Sequence, residues 1–352
     1  MRNKYLSKIF TIILMIIISF ILIFFVKRSS KSYASYEDTD FYFDTFVTIT
    51  ITDNSISYNE KQKLVKEVFD KCKQYEEIFS STLVEGELYT INSSNDSSFT
   101  ISKDLHNIIE ESLNIYALTN GSFDIRLGSI CSLWDFKQAH IPDEAVILNE
   151  LDNIRNSEIL LNDNKLLFKN TNIKPDLNLG GIAKGYISDR IKEYLVSKGV
   201  KNAIINLGGN ILLIGGKKSS SGNDDFYNIG ITLPFTTSGE AIAYVKAKDI
   251  SIVTSGIYER YFKEDNTIYH HIIDPSNGYP VKNNLYSVTI IASDSTTADA
   301  LSTSIFVLGL DEGMKLINSI DDGYAVFVTD TNEVIVSEGL SINDKEIQII
   351  KN

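Results

Sequence analysis

Residues 9–26 form an apolar run broken only by Thr11 and Ser19. At 1.5 Å per residue such a helix is about 27 Å long, just enough to cross a hydrocarbon core of roughly 30 Å. It is longer than the apolar stretch of about 7–15 residues in an ordinary signal peptide. Arg2, Lys4 and Lys8 precede it, and Lys27, Arg28 and Lys31 follow. The segment therefore reads as an uncleaved anchor, with cleavage after Ala34 as the alternative. Basic residues flank both ends, so charge alone does not orient it. The simplest placement holds the remaining chain outside the cell membrane on a single pass. The expected organisation is a membrane segment over 1–29, a polar stalk over 30–40 and one domain over 41–352.

The composition narrows what that domain can do. The formal charge is −13 over 352 residues, and such a surface repels a nucleic-acid backbone. If the chain handles phosphates, it must recruit a cation or a helix N-terminus. Two cysteines and four histidines exclude a disulfide scaffold, a four-cysteine zinc site and a thiolate-bound iron–sulfur cluster. Five prolines and no internal repeat argue for one continuous folding unit.

Alternating β-branched and aromatic residues over 41–52 predict a strand. Helical spacing predicts helices over 59–80, 105–119 and 186–198, the last two stopped at Asn120-Gly121 and Gly199. A strand over 202–207 runs into the turn Gly208-Gly209-Asn210. A second strand over 287–293 is followed by Asp294, an N-cap for a helix to about Leu308. Strands and helices are intermixed, so the expected class is α+β (mixed α/β), with sheets flanked by helices.

Four constellations carry polar chemistry. NLGGIAKG (178–185) opens a helix; its glycines would let amides approach an anion, and Lys184 adds a point charge. It is neither a Walker A loop nor a Rossmann fingerprint, and a plain tight turn reads equally well. Asp299 and Thr303 are four residues apart on one helix face, two oxygen ligands suited to Mg²⁺, or simply a helix-capping carboxylate. YHHIIDPSNGYP (269–280) offers His271 as a general base, with Asp274 orienting nearby backbone or ligand; structural histidines at a strand edge are the even alternative. TNGSFD (119–124) offers Phe123 for stacking and Asp124 for a heterocycle N–H or a ribose hydroxyl, with Trp134 ten residues on. A capped helix entering the core is the alternative.

In this order the blocks resemble the ApbE family, the FAD:protein FMN transferases. The resemblance runs from Phe43-Asp44-Thr45 through Phe79-Ser80, Glu87-Leu88 and Asn92. It continues through GSFD (121–124), NLGGIAKGY (178–186), NLGGN (206–210), TSGIYER (254–260), HIIDP (271–275) and ADALST (298–303). It implies a Mg²⁺-dependent enzyme that splits the FAD pyrophosphate, moves FMN to a Thr or Ser hydroxyl of an acceptor redox flavoprotein and releases AMP. Asp299, Thr303 and the backbone carbonyl of Gly181 would hold the metal. Phe43, Thr82, Ser122, Phe123, Asp124, Asn178, Lys184 and Ile273 would line FAD, and His271 would assist the attacking hydroxyl. Phe43-Asp44 replaces the family's usual Met-Gly, Asn178 stands where Asp is common, and Arg126 replaces a common Thr. An FAD pyrophosphatase and a non-catalytic flavin-binding protein are the rival readings.

Overall fold

A computed structural model describes residues 34–170, 173–218, 224–236 and 238–349. The expected anchor at 9–26 lies outside them. Among the described residues no helix is long and apolar enough to cross a membrane.

The chain opens with strands β1 (Tyr36–Tyr42) and β2 (Thr45–Ile51), then helices α1 (Tyr58–Phe79) and α2 (Glu87–Ser93). Strand β3 (Ser98–Thr100) leads to α3 (Lys103–Leu118), a short 3₁₀ turn (Ile125–Leu127), α4 (Gly128–Leu133) and α5 (Glu144–Asn156). Next come β4 (Glu158–Asn162), β5 (Lys165–Lys169), α6 (Ala183–Ser197), β6 (Ala203–Leu207), β7 (Asn210–Ile214), and the two-residue β8 (Lys217–Lys218) and β9 (Asp224–Asp225). Strands β10 (Tyr227–Thr232), β11 (Ala241–Ala247), β12 (Ser251–Gly256), β13 (Tyr261–Glu264), β14 (Thr267–His270) and β15 (Leu285–Ala292) precede α7 (Ser295–Asn318). The chain then runs through β16 (Tyr324–Thr329), β17 (Val334–Val336), β18 (Leu340–Asn343) and β19 (Glu346–Ile349).

An eight-stranded sheet, β1-β2-β6-β7-β12-β15-β16-β17, forms the middle layer, and every neighbouring pair in it is antiparallel. Alternation along its strands sorts the core into two sides. Val288 and Ile290 of β15, with Ala325 and Phe327 of β16, pack with Leu301, Ile305 and Phe306 of α7. Ile291, Val326 and Val328 face the opposite way, onto the sheet β10-β11-β19-β18. Strands β2 and β6 pack on the same side as the helices, against α1, α3 and α6. The architecture is therefore α+β: helices, a long antiparallel sheet, then a second sheet. A one-residue slip of β15 would exchange its two faces, so the register is fixed by both cores.

The expected single strand over 41–52 is half of a hairpin, and the expected stalk is folded from Tyr36 onward. The turn lies at Phe43 and Asp44, both at positive φ (56° and 58°), as a two-residue hairpin loop requires. Asp is a common residue in such a turn, whereas Phe is not. The geometry is supported from outside, because Phe43 N–H donates to Glu76 Oε1 at 2.7 Å. Helix α7, expected to end at about Leu308, is interrupted there at Gly309 (φ 77°, ψ −176°) and then resumes to Asn318.

Candidate functional site

Helices α6 and α7 meet with almost no side chain between them. A Cβ on Gly185 would lie 2.7 Å from the carbonyl carbon of Ser295 and 2.8 Å from Asp299 Cβ. Only glycine permits that approach, and it puts the first turn of α6 beside the Asp299 carboxylate. Asp189, one turn further along α6, caps the start of α7: its carboxylate accepts from Ser295 N (3.1 Å), Thr296 N (2.8 Å) and Thr296 Oγ1 (2.6 Å). Burial, and then the neighbouring Asp294, push the Asp189 carboxyl up to about 6.

Several amides of the glycine loop are spent within the protein. Gly180 N donates to Asn178 Oδ1 (2.8 Å), Ile182 N and Ala183 N to Leu179 O (3.1 and 2.8 Å), and Tyr186 N to Ile182 O (3.1 Å). Gly185 N, which in a regular helix would close onto Gly181 O, donates instead to Asp299 Oδ2 at 2.9 Å. That diversion leaves Gly181 O with no protein donor among the described residues. The loop therefore has a free carbonyl oxygen, a group that suits a cation.

The three residues expected to hold a metal are therefore neighbours. The Asp299 side chain is 3% exposed, and its Oδ1 lies 3.7 Å from Lys184 Nζ, beyond hydrogen-bonding range. Thr303 Oγ1, one turn on, would lie 3.4 Å from a Cβ on Gly181, and Phe123 Cε2 would lie 3.1 Å from it. The set is one carboxylate, one hydroxyl and one carbonyl. No group of three or more His, Cys, Asp or Glu side chains able to hold a metal occurs among the described residues. A hard, oxygen-seeking cation that completes its shell with phosphate and water fits such a set.

His271 reaches this region through the turn after β12. Its backbone N and its Nδ1 both meet Arg260 O, at 3.2 and 3.3 Å. A carbonyl can only accept, so Nδ1 carries the proton and Nε2 is left as the acceptor. Desolvation, then His270, then the Arg260 and Lys184 charges hold His271 down at about 3. It is neutral at physiological pH. Glu259, in the same turn, lies within electrostatic range of Lys184 and Asp299.

The other expected ligand contacts sit differently. Asp124 is not free for a ligand: it takes Arg126 Nη2 at 2.6 Å and Nε at 2.9 Å, and also Arg126 N at 2.9 Å. Arg126 is consumed by that pair and by the carbonyls of Ile154 (3.2 Å) and Ser157 (2.7 Å). The Asp274 carboxylate orients the backbone of its own turn, accepting from Ser276 N (2.8 Å) and Asn277 Nδ2 (2.9 Å). Ile273 is buried in a satellite core with Trp134 and Ile130, and Trp134 Nε1 donates to Gly278 O at 3.0 Å. Ser122 is half-buried beside Phe123. Phe43 packs against the core below α1, and Thr82 lies exposed in the α1–α2 loop. Ser255 and Glu259 were assigned no role from sequence; their signal was their place in the TSGIYER block.

A family model described as the ApbE family matches residues 43–328. This chain belongs to the ApbE family. The FAD:protein FMN transferase of Klebsiella pneumoniae (strain 342) is 33% identical over 283 residues, covering 80% of this chain and 86% of that protein. The protein of the same name from Treponema pallidum is 31% identical over 293 residues, covering 80% and 81%. Among solved structures, the ApbE protein of Thermotoga maritima superposes with a TM-score of 0.76 at 30% identity, covering 86% of this chain and 97% of that one. The Vibrio cholerae flavin transferase ApbE shares the fold, with a TM-score of 0.73 at 24% identity. The ApbE fold thus extends over nearly all the described residues.

Proposed function

We propose that this chain, a flavin transferase of the ApbE family, moves FMN from FAD to a Thr or Ser hydroxyl of an acceptor flavoprotein and releases AMP. The observation that carries the reading is that Gly181, whose carbonyl has no protein donor among the described residues, neighbours Thr303, while the amide that would have bonded it goes to Asp299. These three residues would hold Mg²⁺, which when bound neutralises pyrophosphate charge that an acidic protein cannot offset alone. Lys184, beside Asp299, faces the same phosphate charge.

The chain's own groups then account for the remainder. The acceptor oxygen forms a bond to the FMN phosphorus, the bond from that phosphorus to the bridging oxygen breaks, and AMP leaves with that oxygen. The hydroxyl proton passes to Nε2 of neutral His271, whose tautomer Arg260 O has already set. The phosphoester forms without a covalent enzyme intermediate, consistent with positioning and charge stabilisation as the main contributions.

The apolar run at 9–26 supports a membrane-anchored enzyme, and the simplest placement puts its domain on the outer side. Lys61 Nζ donates to Ala34 O at 2.7 Å and pins the chain where the fold begins. Residues 27–33 can span at most about 25 Å, so the domain would work close to the membrane surface.

The test is to mix the detergent-solubilised full-length chain with FAD, Mg²⁺ and an acceptor flavoprotein, then follow in-gel flavin fluorescence after denaturing electrophoresis. A fluorescent acceptor band abolished by EDTA is expected. A dark acceptor with AMP released at the same rate in its absence would replace transfer with pyrophosphate hydrolysis. FAD left intact would refute both.

A further inference from the structure

Behind Thr303 three hydroxyls form a chain whose proton direction the geometry determines. Thr303 Oγ1 lies 3.1 Å from Ser255 Oγ, and Ser255 Oγ lies 2.7 Å from Ser302 Oγ. Ser302 Oγ lies 2.8 Å from the backbone carbonyl of Asp299. Each hydroxyl has one proton and can accept as well as donate. The carbonyl can only accept, so Ser302, which is fully buried and out of reach of water, must give its proton there. The short Ser302–Ser255 contact then needs the Ser255 proton. Ser255 has none left for Thr303, so Thr303 donates to Ser255. The opposite direction would leave two oxygens 2.7 Å apart with no proton between them.

From this we infer that Ser255 is a positioning residue that sets the polarity of the Thr303 hydroxyl. With its proton turned back onto Ser255, Thr303 presents lone pairs, not a proton, to the space shared with Asp299 and Gly181. A proton pointing the other way would repel a cation there. The relay also ties both candidate ligands to one strand: it begins on the Thr303 side chain, passes through β12 and ends on the Asp299 backbone. Outer partners of this kind commonly carry about 10–100-fold in metal affinity. The inference rests on the metal reading proposed above, and its test separates the two.

Mn²⁺, an oxygen-preferring stand-in for Mg²⁺ with an EPR signal, is titrated into the detergent-solubilised full-length chain and its variants. Ser255→Ala should bind Mn²⁺ at least about 10-fold more weakly, and Ser255→Thr, which restores the hydroxyl, should recover most of the loss. Ser302→Ala is the sharper variant. It keeps both Ser255 and Thr303 but frees the Ser255 proton to turn onto Thr303, so it too should weaken Mn²⁺. A role confined to packing around Ser255 predicts no such effect from Ser302. If Ser255→Ala and Ser302→Ala bind Mn²⁺ like the parent while Thr303→Ala does not, the relay is refuted and the metal site stands. If Thr303→Ala also binds like the parent, the metal site itself is refuted. Should Ser255→Ala fail to fold, Ser302→Ala decides alone.

Discussion

Gly185→Ala sets two physical effects against each other. Gly185 sits in the first turn of α6, and no positive φ requires glycine there. By helix propensity alone alanine should stabilise the protein by up to about 1 kcal/mol. Packing predicts the reverse. The new methyl would lie 2.7 Å from the Ser295 carbonyl carbon and 2.8 Å from Asp299 Cβ. Ordinary carbon–carbon contact is about 3.5–4.0 Å, so α6 and α7 must part by about 1 Å. Neither neighbour is the far end of a flexible side chain that could swing aside. Overpacking of this kind costs about 1–3 kcal/mol, which outweighs the propensity gain. The expected net loss is of order 1–2 kcal/mol, or a few degrees in Tm for a domain of this size.

The effect on function should exceed the effect on stability. Parting the helices stretches the 2.9 Å bond from Gly185 N to Asp299 Oδ2 and moves Asp299 away from Gly181. A displacement of about 1 Å in a positioned catalytic group can cost roughly 100-fold in rate. The assay pairs thermal unfolding without metal with flavin transfer at saturating FAD and Mg²⁺. A lower Tm with a disproportionate fall in kcat is expected. A higher Tm with unchanged kcat would refute the close-approach argument, because it would show that propensity decides at this position.

Three further outcomes follow from the same geometry. His271→Ala should lower kcat by about 10²–10⁴-fold with FAD affinity within a few-fold of the parent by fluorescence titration; undiminished turnover would place the base elsewhere. Arg126→Ala strands Asp124, only 6% exposed, without its 2.6 Å partner, and should lose about 3–5 kcal/mol in chemical denaturation; a loss below 1 kcal/mol would count against a structural role. Buried His270 donates Nε2–H to Val281 O (3.0 Å) and accepts Ile272 N on Nδ1 (3.3 Å), and burial holds it at about 4. Its folded value lies below the unfolded value of about 6.5, so its contribution is present above pH 6.5. It should fade by about 3 kcal/mol as pH falls to 4, and a titration-silent His270→Gln variant should show a correspondingly flatter acid dependence.

What was legible in the sequence was whatever a local rule controls. Gly121 and Gly199 stop α3 and α6 at positive φ, and Asp294 caps α7 through Thr297 N at 2.7 Å. The Asp299/Thr303 pair is visible because i and i+4 share a helix face. The hairpin at Phe43-Asp44 was not legible, because its strained turn is held by Glu76, 33 residues away. Asp124 was misread for a related reason: a carboxylate beside a helix end looks available until Arg126 folds back across it and finishes on the carbonyls of Ile154 and Ser157. Ser255 lies in the TSGIYER block, but nothing local assigns it a role, since its partners are two hydroxyls 47 and 48 residues on.

The glycine loop shows most clearly why such misreadings concern function and not only fold. A glycine-rich turn entering a helix beside a lysine is the usual grammar of an anion site, where free amides point outward. Here the same grammar also frees a carbonyl. Asn178 and Leu179 take the amides of Gly180, Ile182 and Ala183, and Asp299, 114 residues away, takes the one amide that would have satisfied Gly181. The result is a free carbonyl in a loop where only amides were expected to matter. A chain with a net charge of −13 gains little from weak amide dipoles against a pyrophosphate. On the proposed function, a free carbonyl beside a buried carboxylate would hold a cation, and one divalent cation would offset more phosphate charge than the loop's partial charges could. Asp299 would then act twice, once as a ligand and once as the acceptor that unmasks another, which is why a substitution there should remove two of the three oxygens at a stroke.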